Sequence, residues 1–263
     1  MKIEFGVSSA CYYPSETEKS LQTAGEYGFR NVELFLNSPS ELEDEYLDEI
    51  IAIKEKYNLN IVSVHPFASF AESFYLFSNY ERRFTDSLPL YDRFFEVTAK
   101  LGADIFVFHG IKKPGTISDE EYCRRFGILI EMGKKYSIRV CHENVVHHRC
   151  ENPDYLKMMK DNIGDDFSVV LDIKQARRAG FSPYEFIEKL TDSIVHIHIS
   201  DYNNEKDCIP PLTGEFDFEK LFSTMDSLDY NGKYIIELYE WSYNSPDEIE
   251  NAYNNLYKFA ESI

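Results

Sequence analysis

Apolar residues along this chain fall into eight short, nearly continuous runs separated by longer stretches where they recur every third or fourth position. The runs are IEFGVSSA (3–10), NVELFLN (31–37), NIVSVHPF (60–67), ADIFVFHG (103–110), IRVCHENV (138–145), SVVLDIKQ (168–175), SIVHIHISD (193–201) and KYIIELYE (233–240). Continuous apolar runs of this length predict strands buried on both faces. Between them, SETEKSLQTAGEYGF, SELEDEYLDEIIAIKEKYN, a stretch from about Thr85 to Leu101, DEEYCRRFGILIEMGKKY, NPDYLKMMKDN, SPYEFIEKLTD, FDFEKLFSTMDSLD and the closing DEIENAYNNLYKFAESI carry helical spacing. In the first helix, Ser15 followed three residues later by Glu18 predicts a capping box, and Leu21, Ala24 and Tyr27 mark its buried face.

Strands alternating with helices imply a parallel sheet, because each helical crossover returns the next strand in the same direction. Eight such units favour closure into a (β/α)8 TIM barrel over an open sheet. No GxGxxG or GxxxxGK fingerprint follows the first strand, which removes the main reason to expect a nucleotide-binding open sheet. With no linker in sight, residues 1–263 read as one barrel domain.

Composition narrows the function classes. With 46 acidic and 27 basic side chains the formal net charge is −19, a field that repels polyphosphate and argues against nucleic acid as a partner. No apolar run approaches the roughly 18 residues needed to span a bilayer, so no membrane association is expected. Five widely spaced cysteines without a CxxC pair read as free thiols in a cytoplasmic protein.

Ionisable groups inside apolar strands are costly unless paired or bound to metal, so their positions are informative. His65 ends the predicted third strand, His109 the fourth, Glu143 the fifth, Asp172 the sixth, His198 the seventh and Glu237 the eighth, while Glu33 lies within the second. All seven histidines fall in or just after predicted strands. One histidine or acid at a strand end is more often a hydrogen-bonded structural residue. Six successive strand ends, gathered on the rim where barrel active sites lie, point to a site in which three carboxylates and an imidazole hold a divalent metal. His196 sits one layer deeper than His198 and reads, like Cys141, as a core residue; His147 and His148 lie in a loop.

The ordered set VHPF, FHG, HENV, VLDIKQA, HIHISD, PPLTGEFDF and IIELYE resembles the xylose isomerase-like barrel superfamily, which contains sugar and sugar-phosphate isomerases and epimerases and the AP endonuclease IV group. The resemblance covers nearly the whole chain. It implies that Glu143, Asp172, His198 and Glu237 are the metal ligands, that Glu143 and Glu237 are the acid and base, and that His65 and His109 contact substrate. The oxygen-rich donor set suits Mn, Mg or Co, with Zn as a further option. The implied partner is a small sugar or sugar phosphate, and a homo-oligomer is compatible with it.

Two positions depart from the family pattern. The histidine usual three residues after the sixth-strand aspartate is Gln175, which can hydrogen-bond a substrate hydroxyl but is a poor metal ligand, and an arginine usual after the seventh strand is Asn204. Asp207 has no histidine partner of the endonuclease kind. Trp241, just past the last strand, is a candidate wall of the sugar pocket. The expectation is a metal-dependent isomerase or epimerase. Alternatives are an endonuclease-like hydrolase, a related dehydratase or lyase, and a barrel that binds sugar without turnover.

Overall fold

The computed structural model describes residues 3–263. Eight parallel strands close into a barrel in chain order: β1 (Glu4–Ser8), β2 (Asn31–Phe35), β3 (Asn60–His65), β4 (Ile105–Phe108), β5 (Arg139–Glu143), β6 (Ser168–Asp172), β7 (Ile194–Ile199) and β8 (Lys233–Ile236), with β8 pairing back onto β1. The fold is the expected (β/α)8 TIM barrel.

Helices α1 (Thr17–Glu26), α2 (Asp44–Tyr57), α3 (Glu72–Tyr75), α4 (Glu81–Lys100), α5 (Asp119–Lys134), α6 (Pro153–Ile163), α7 (Ile173–Arg178), α8 (Pro183–Leu190), α9 (Phe218–Ser227) and α10 (Pro246–Ala260) connect the strands. Several start where polar side chains accept the free backbone N–H groups of the first turn. Ser118 caps α5, Asn152 caps α6 with Pro153 behind it, and Asp217 caps α9. Ser182 and Glu185 form a reciprocal capping box on α8.

The capping box expected at Ser15 and Glu18 does not form. Helix α1 starts two residues later, and no side chain caps it. Glu18 is drawn instead to the Tyr46 hydroxyl of α2, which donates to its carboxylate at 2.9 Å. Helix α4 begins four residues before the expected Thr85, at Glu81, whose carboxylate accepts from Arg125 on α5 at 2.7 Å. The run 168–175 is a strand only as far as Asp172, whose side chain accepts from the Gln175 N–H at 2.9 Å and starts α7.

Alternation along the strands separates two packing zones. Phe106 and Phe108 of β4 face outward into the main core with Tyr91, Phe94, Phe95 and Phe126 of the covering helices. The intervening Ile105 and Val107, with Cys141 and Val170, form a small separate cluster inside the barrel. Above them the interior turns polar: Glu33, Ser63, His196 and His198 are fully buried. All five cysteines are free and buried. Among the described residues, no helix is long and apolar enough to cross a membrane.

Candidate metal centre

The parallel register brings the polar strand ends together. Asp172 pairs with His198 across β6 and β7, and the backbone of Glu237 continues the β7–β8 ladder, its N–H donating to Ile199 O at 3.1 Å. Asn144, directly after Glu143, locks β5 to β6: its Oδ1 accepts from the Asp172 N–H at 2.7 Å and its Nδ2 donates to the Asp172 carbonyl at 3.0 Å. Glu143, Asp172, His198 and Glu237 each offer one ligand atom, and these atoms all lie within 4.8 Å of one another. Nδ1 of His198 is 3.5 Å from Glu143 Oε1, 3.6 Å from Glu237 Oε2 and 4.0 Å from Asp172 Oδ2.

His198 is aimed from behind. Its Nε2 lies 3.0 Å from the buried carboxylate of Glu33, which also accepts from Ser63 at 2.9 Å and lies 3.4 Å from His196 Nε2. A carboxylate holding one imidazole nitrogen fixes the tautomer and turns the other nitrogen toward the site. Burial opposes charge on Glu33, but His198 and His196 beside it hold its carboxyl well below the usual 4.5; burial likewise opposes charge on His198, which Glu33 and Glu237 nonetheless push well above 6.5.

His65 and His109 approach Glu143 from β3 and the end of β4. Nε2 of His109 lies 2.9 Å from Glu143 Oε2, Nε2 of His65 lies 3.8 Å from it, and the two imidazoles are 2.8 Å apart. With Glu143 they form a second cluster able to hold a cation. Gly110, at φ +79°, follows His109 where a Cβ would come within 1.9 Å of the Tyr122 hydroxyl. The backbone N–H of His109 donates to buried Glu72 at 3.0 Å, and Gly110 N–H donates to the same oxygen.

The remaining two candidates sit differently. Gln175 is the third residue of α7, and its Oε1 accepts from Val146 N–H at 3.2 Å, tying α7 to the loop after β5. Trp241 is 73% exposed and stacks on Tyr239 at 4.6 Å with 10° between the planes. Tyr239 is the inner member of that pair.

Sequence reasoning passed over Lys174. Its side chain is 2% exposed, and Nζ lies 2.8 Å from Glu237 Oε2 and 3.3 Å from Asp172 Oδ2, with the Tyr239 ring centroid 4.7 Å away. Burial works against the ammonium, yet Asp172 and Glu237 hold it well above 10.5. Burial pushes Asp172 up to about 7, against the pull of Lys174 and with the help of Glu237 and Glu143. A strand end followed by DIKQ signals only a helix start, so nothing in the run marks the lysine as turning back.

Buried polar atoms without hydrogen bonds test whether a metal fits. His198 Nδ1 is buried without one, while the facing carboxylate oxygens Glu143 Oε2 and Asp172 Oδ2 meet His109 Nε2 at 2.9 Å and Lys174 Nζ at 3.3 Å. A buried imidazole nitrogen left without a hydrogen bond among three carboxylates is costly unless a cation completes it. Three carboxylates and one imidazole fit a divalent ion with a preference for oxygen ligands.

Comparison with known proteins agrees with this architecture. An uncharacterized protein of Methanocaldococcus jannaschii, MJ1188, is 24% identical over 246 residues, covering 90% of this chain and 88% of its own. The crystal structure of a D-tagatose 3-epimerase-like protein superposes with a TM-score of 0.81 at 20% identity, covering 98% of this chain and 97% of that one. D-psicose 3-epimerase with D-tagatose, from Clostridium cellulolyticum H10, gives 0.78 at 13% identity and 99% coverage of both chains. The family model described as xylose isomerase-like TIM barrel matches residues 21–259. By its fold, the order of its strand-end residues and this match, the chain belongs to the xylose isomerase-like TIM barrel family.

Proposed function

We propose that the protein is a metal-dependent isomerase or epimerase acting on a sugar or sugar phosphate. The observation that carries this reading is the convergence of Glu143, Asp172, His198 and Glu237 at the carboxyl ends of four strands. Glu143 and Glu237 come from β5 and from the residue following β8, strands that are not neighbours, so two carboxylates border the same space. One glutamate removes a proton from the carbon beside the sugar carbonyl and the other returns one. A divalent ion bound by the quartet supplies electrostatic stabilisation of the oxygen that gains charge. His65 and His109 orient substrate hydroxyls, Gln175 supports the rim beside them, and Trp241 with Tyr239 borders the entrance. The family relationship and the epimerase names among its structural neighbours support this reading.

The test is turnover of a panel of ketohexoses and their phosphates in D2O by Mn-loaded protein. A second isomer carrying deuterium at the altered carbon is expected, with Glu143→Gln and Glu237→Gln each slowed by about 100-fold or more. Absence of any sugar product, or full activity in Glu143→Gln, overturns the reading. The second cluster of His65, His109 and Glu143 favours one alternative, a hydrolase using two metals. Cleavage of abasic-site DNA by the pure protein would establish that alternative.

A further inference from the structure

The metal quartet contains an ammonium group. Lys174 lies two residues after the ligand Asp172, in the first turn of α7, and its side chain folds back into the site instead of reaching solvent. Nζ contacts one oxygen from each of two ligands, Glu237 Oε2 at 2.8 Å and Asp172 Oδ2 at 3.3 Å. These are not peripheral atoms. The same Glu237 Oε2 is 3.6 Å and the same Asp172 Oδ2 is 4.0 Å from His198 Nδ1, so the ammonium shares the two oxygens that face the imidazole.

Nor is the lysine free to swing away. Its ammonium rests against the Tyr239 ring at 4.7 Å; that ring is stacked on Trp241 and held through its hydroxyl by Arg178, which donates to it at 2.7 Å and itself pairs with Asp207 at 2.6 Å. A lysine stem normally carries its charge to water. Here an aromatic ring tethered to α7 closes that route, so the charge stays beside the ligands whether or not an ion joins them.

We propose that Lys174 is a resident cation of the centre, neutralising Asp172 and Glu237 and competing with a divalent ion for them, so that the protein holds its metal loosely and exchangeably. The physical cause is direct. An ion entering the quartet must draw Asp172 and Glu237 away from an ammonium that cannot leave, and must then remain within a few ångströms of a like charge in a water-poor site. Lys174 is thus a positioning residue for the two carboxylates, and it sets occupancy by the ambient concentration of the ion. The inference rests on the reading of the quartet as a metal site.

Calorimetric titration of the wild-type protein, Lys174→Met and Lys174→Arg with Mn2+ at neutral pH tests it without reference to turnover. Lys174→Met is expected to bind about tenfold more tightly or better, and Lys174→Arg, which keeps the charge, to bind within about threefold of wild type. Should Lys174→Met lose its folded circular dichroism, Lys174→Gln removes the charge while keeping a donor for Glu237 and carries the same expectation. Equal or weaker binding by the uncharged variant overturns the inference while leaving the metal site standing. Absence of Mn2+ binding by both wild type and variant overturns the metal reading together with it.

Discussion

At the scale of single residues, the buried carboxylates divide by their neighbours. Glu33 and Glu143 face imidazoles, which hold their carboxyls well below the usual 4.5 against burial, whereas Glu72 faces backbone amides and its own burial. Burial holds the Glu72 carboxyl well above its ordinary 4.5, against the hydrogen bonds from Gly110 and His109. The folded protein therefore keeps a proton that the unfolded chain releases, and stability is lost as pH rises past 4.5 toward the folded value. Glu72→Gln, which has no proton to lose, should gain in melting temperature relative to wild type as pH rises above 4.5. Parallel curves for the two proteins would show that Glu72 is ionised in the fold.

What could be read from the sequence at this scale follows from strand geometry. The carboxyl ends of all strands of a parallel barrel share one rim, so His65, His109, Glu143, Asp172, His198 and Glu237 could be placed together from the apolar runs. Lys174 could not, because a helical lysine has several rotatable bonds and usually seeks water, and it is Asp172, Glu237 and the Tyr239 wall together that turn it inward. Tyr239 was hidden for a similar reason. Its role depends on a contact with Trp241 and Arg178 that no periodicity encodes.

At the scale of elements, the long connection between β7 and α9 is organised by one carboxylate. Asp201 is 1% exposed, and its oxygens accept from the N–H groups of Tyr202 at 2.8 Å, Gly214 at 2.8 Å and Phe216 at 2.9 Å. The loop also pairs with itself, Asp201 and Ile209 exchanging backbone hydrogen bonds. Gly214 is required at its place, since a Cβ there would lie 2.1 Å from the Tyr202 carbonyl. Asp201→Ala leaves three N–H groups without an anionic acceptor and is expected to cost about 3 kcal/mol, measured by urea unfolding. A loss within about 0.5 kcal/mol would mean that water replaces the carboxylate. The motifs HIHISD and PPLTGEFDF were visible in the sequence, but their link was not: the aspartate of one is the latch of the other. The misplaced start of α1 has the opposite lesson. A Ser and a Glu three apart satisfy the capping pattern, yet a tyrosine on the next helix competes for the glutamate and wins.

For the whole molecule, closure of β8 onto β1 leaves no open sheet edge among the described residues and gathers the carboxyl ends of all eight strands on one rim. That closure was legible because eight repeats of one pattern have few other parallel solutions. The polar interior layer was less so. Glu33 and His196 lie on separate strands and Ser63 gives no signal of its own, and only the register that sets Glu33 beside Ser63, with His196 across the barrel interior, makes them one network supporting His198.

Tyr239 lies between the ammonium of Lys174 and the indole of Trp241, and Trp241 is the only tryptophan in the chain. The molecule therefore carries its own optical reporter. Emission excited selectively in the indole comes from a single point, two contacts away from the carboxylates. Displacement of Asp172 and Glu237 from Lys174 should change its intensity or wavelength as Mn2+ is added, and chelation should restore it. Trp241→Phe should abolish that emission while leaving the calorimetric binding curve in place; an emission spectrum indifferent to Mn2+ in a protein that binds it would show that the stack does not sense the centre.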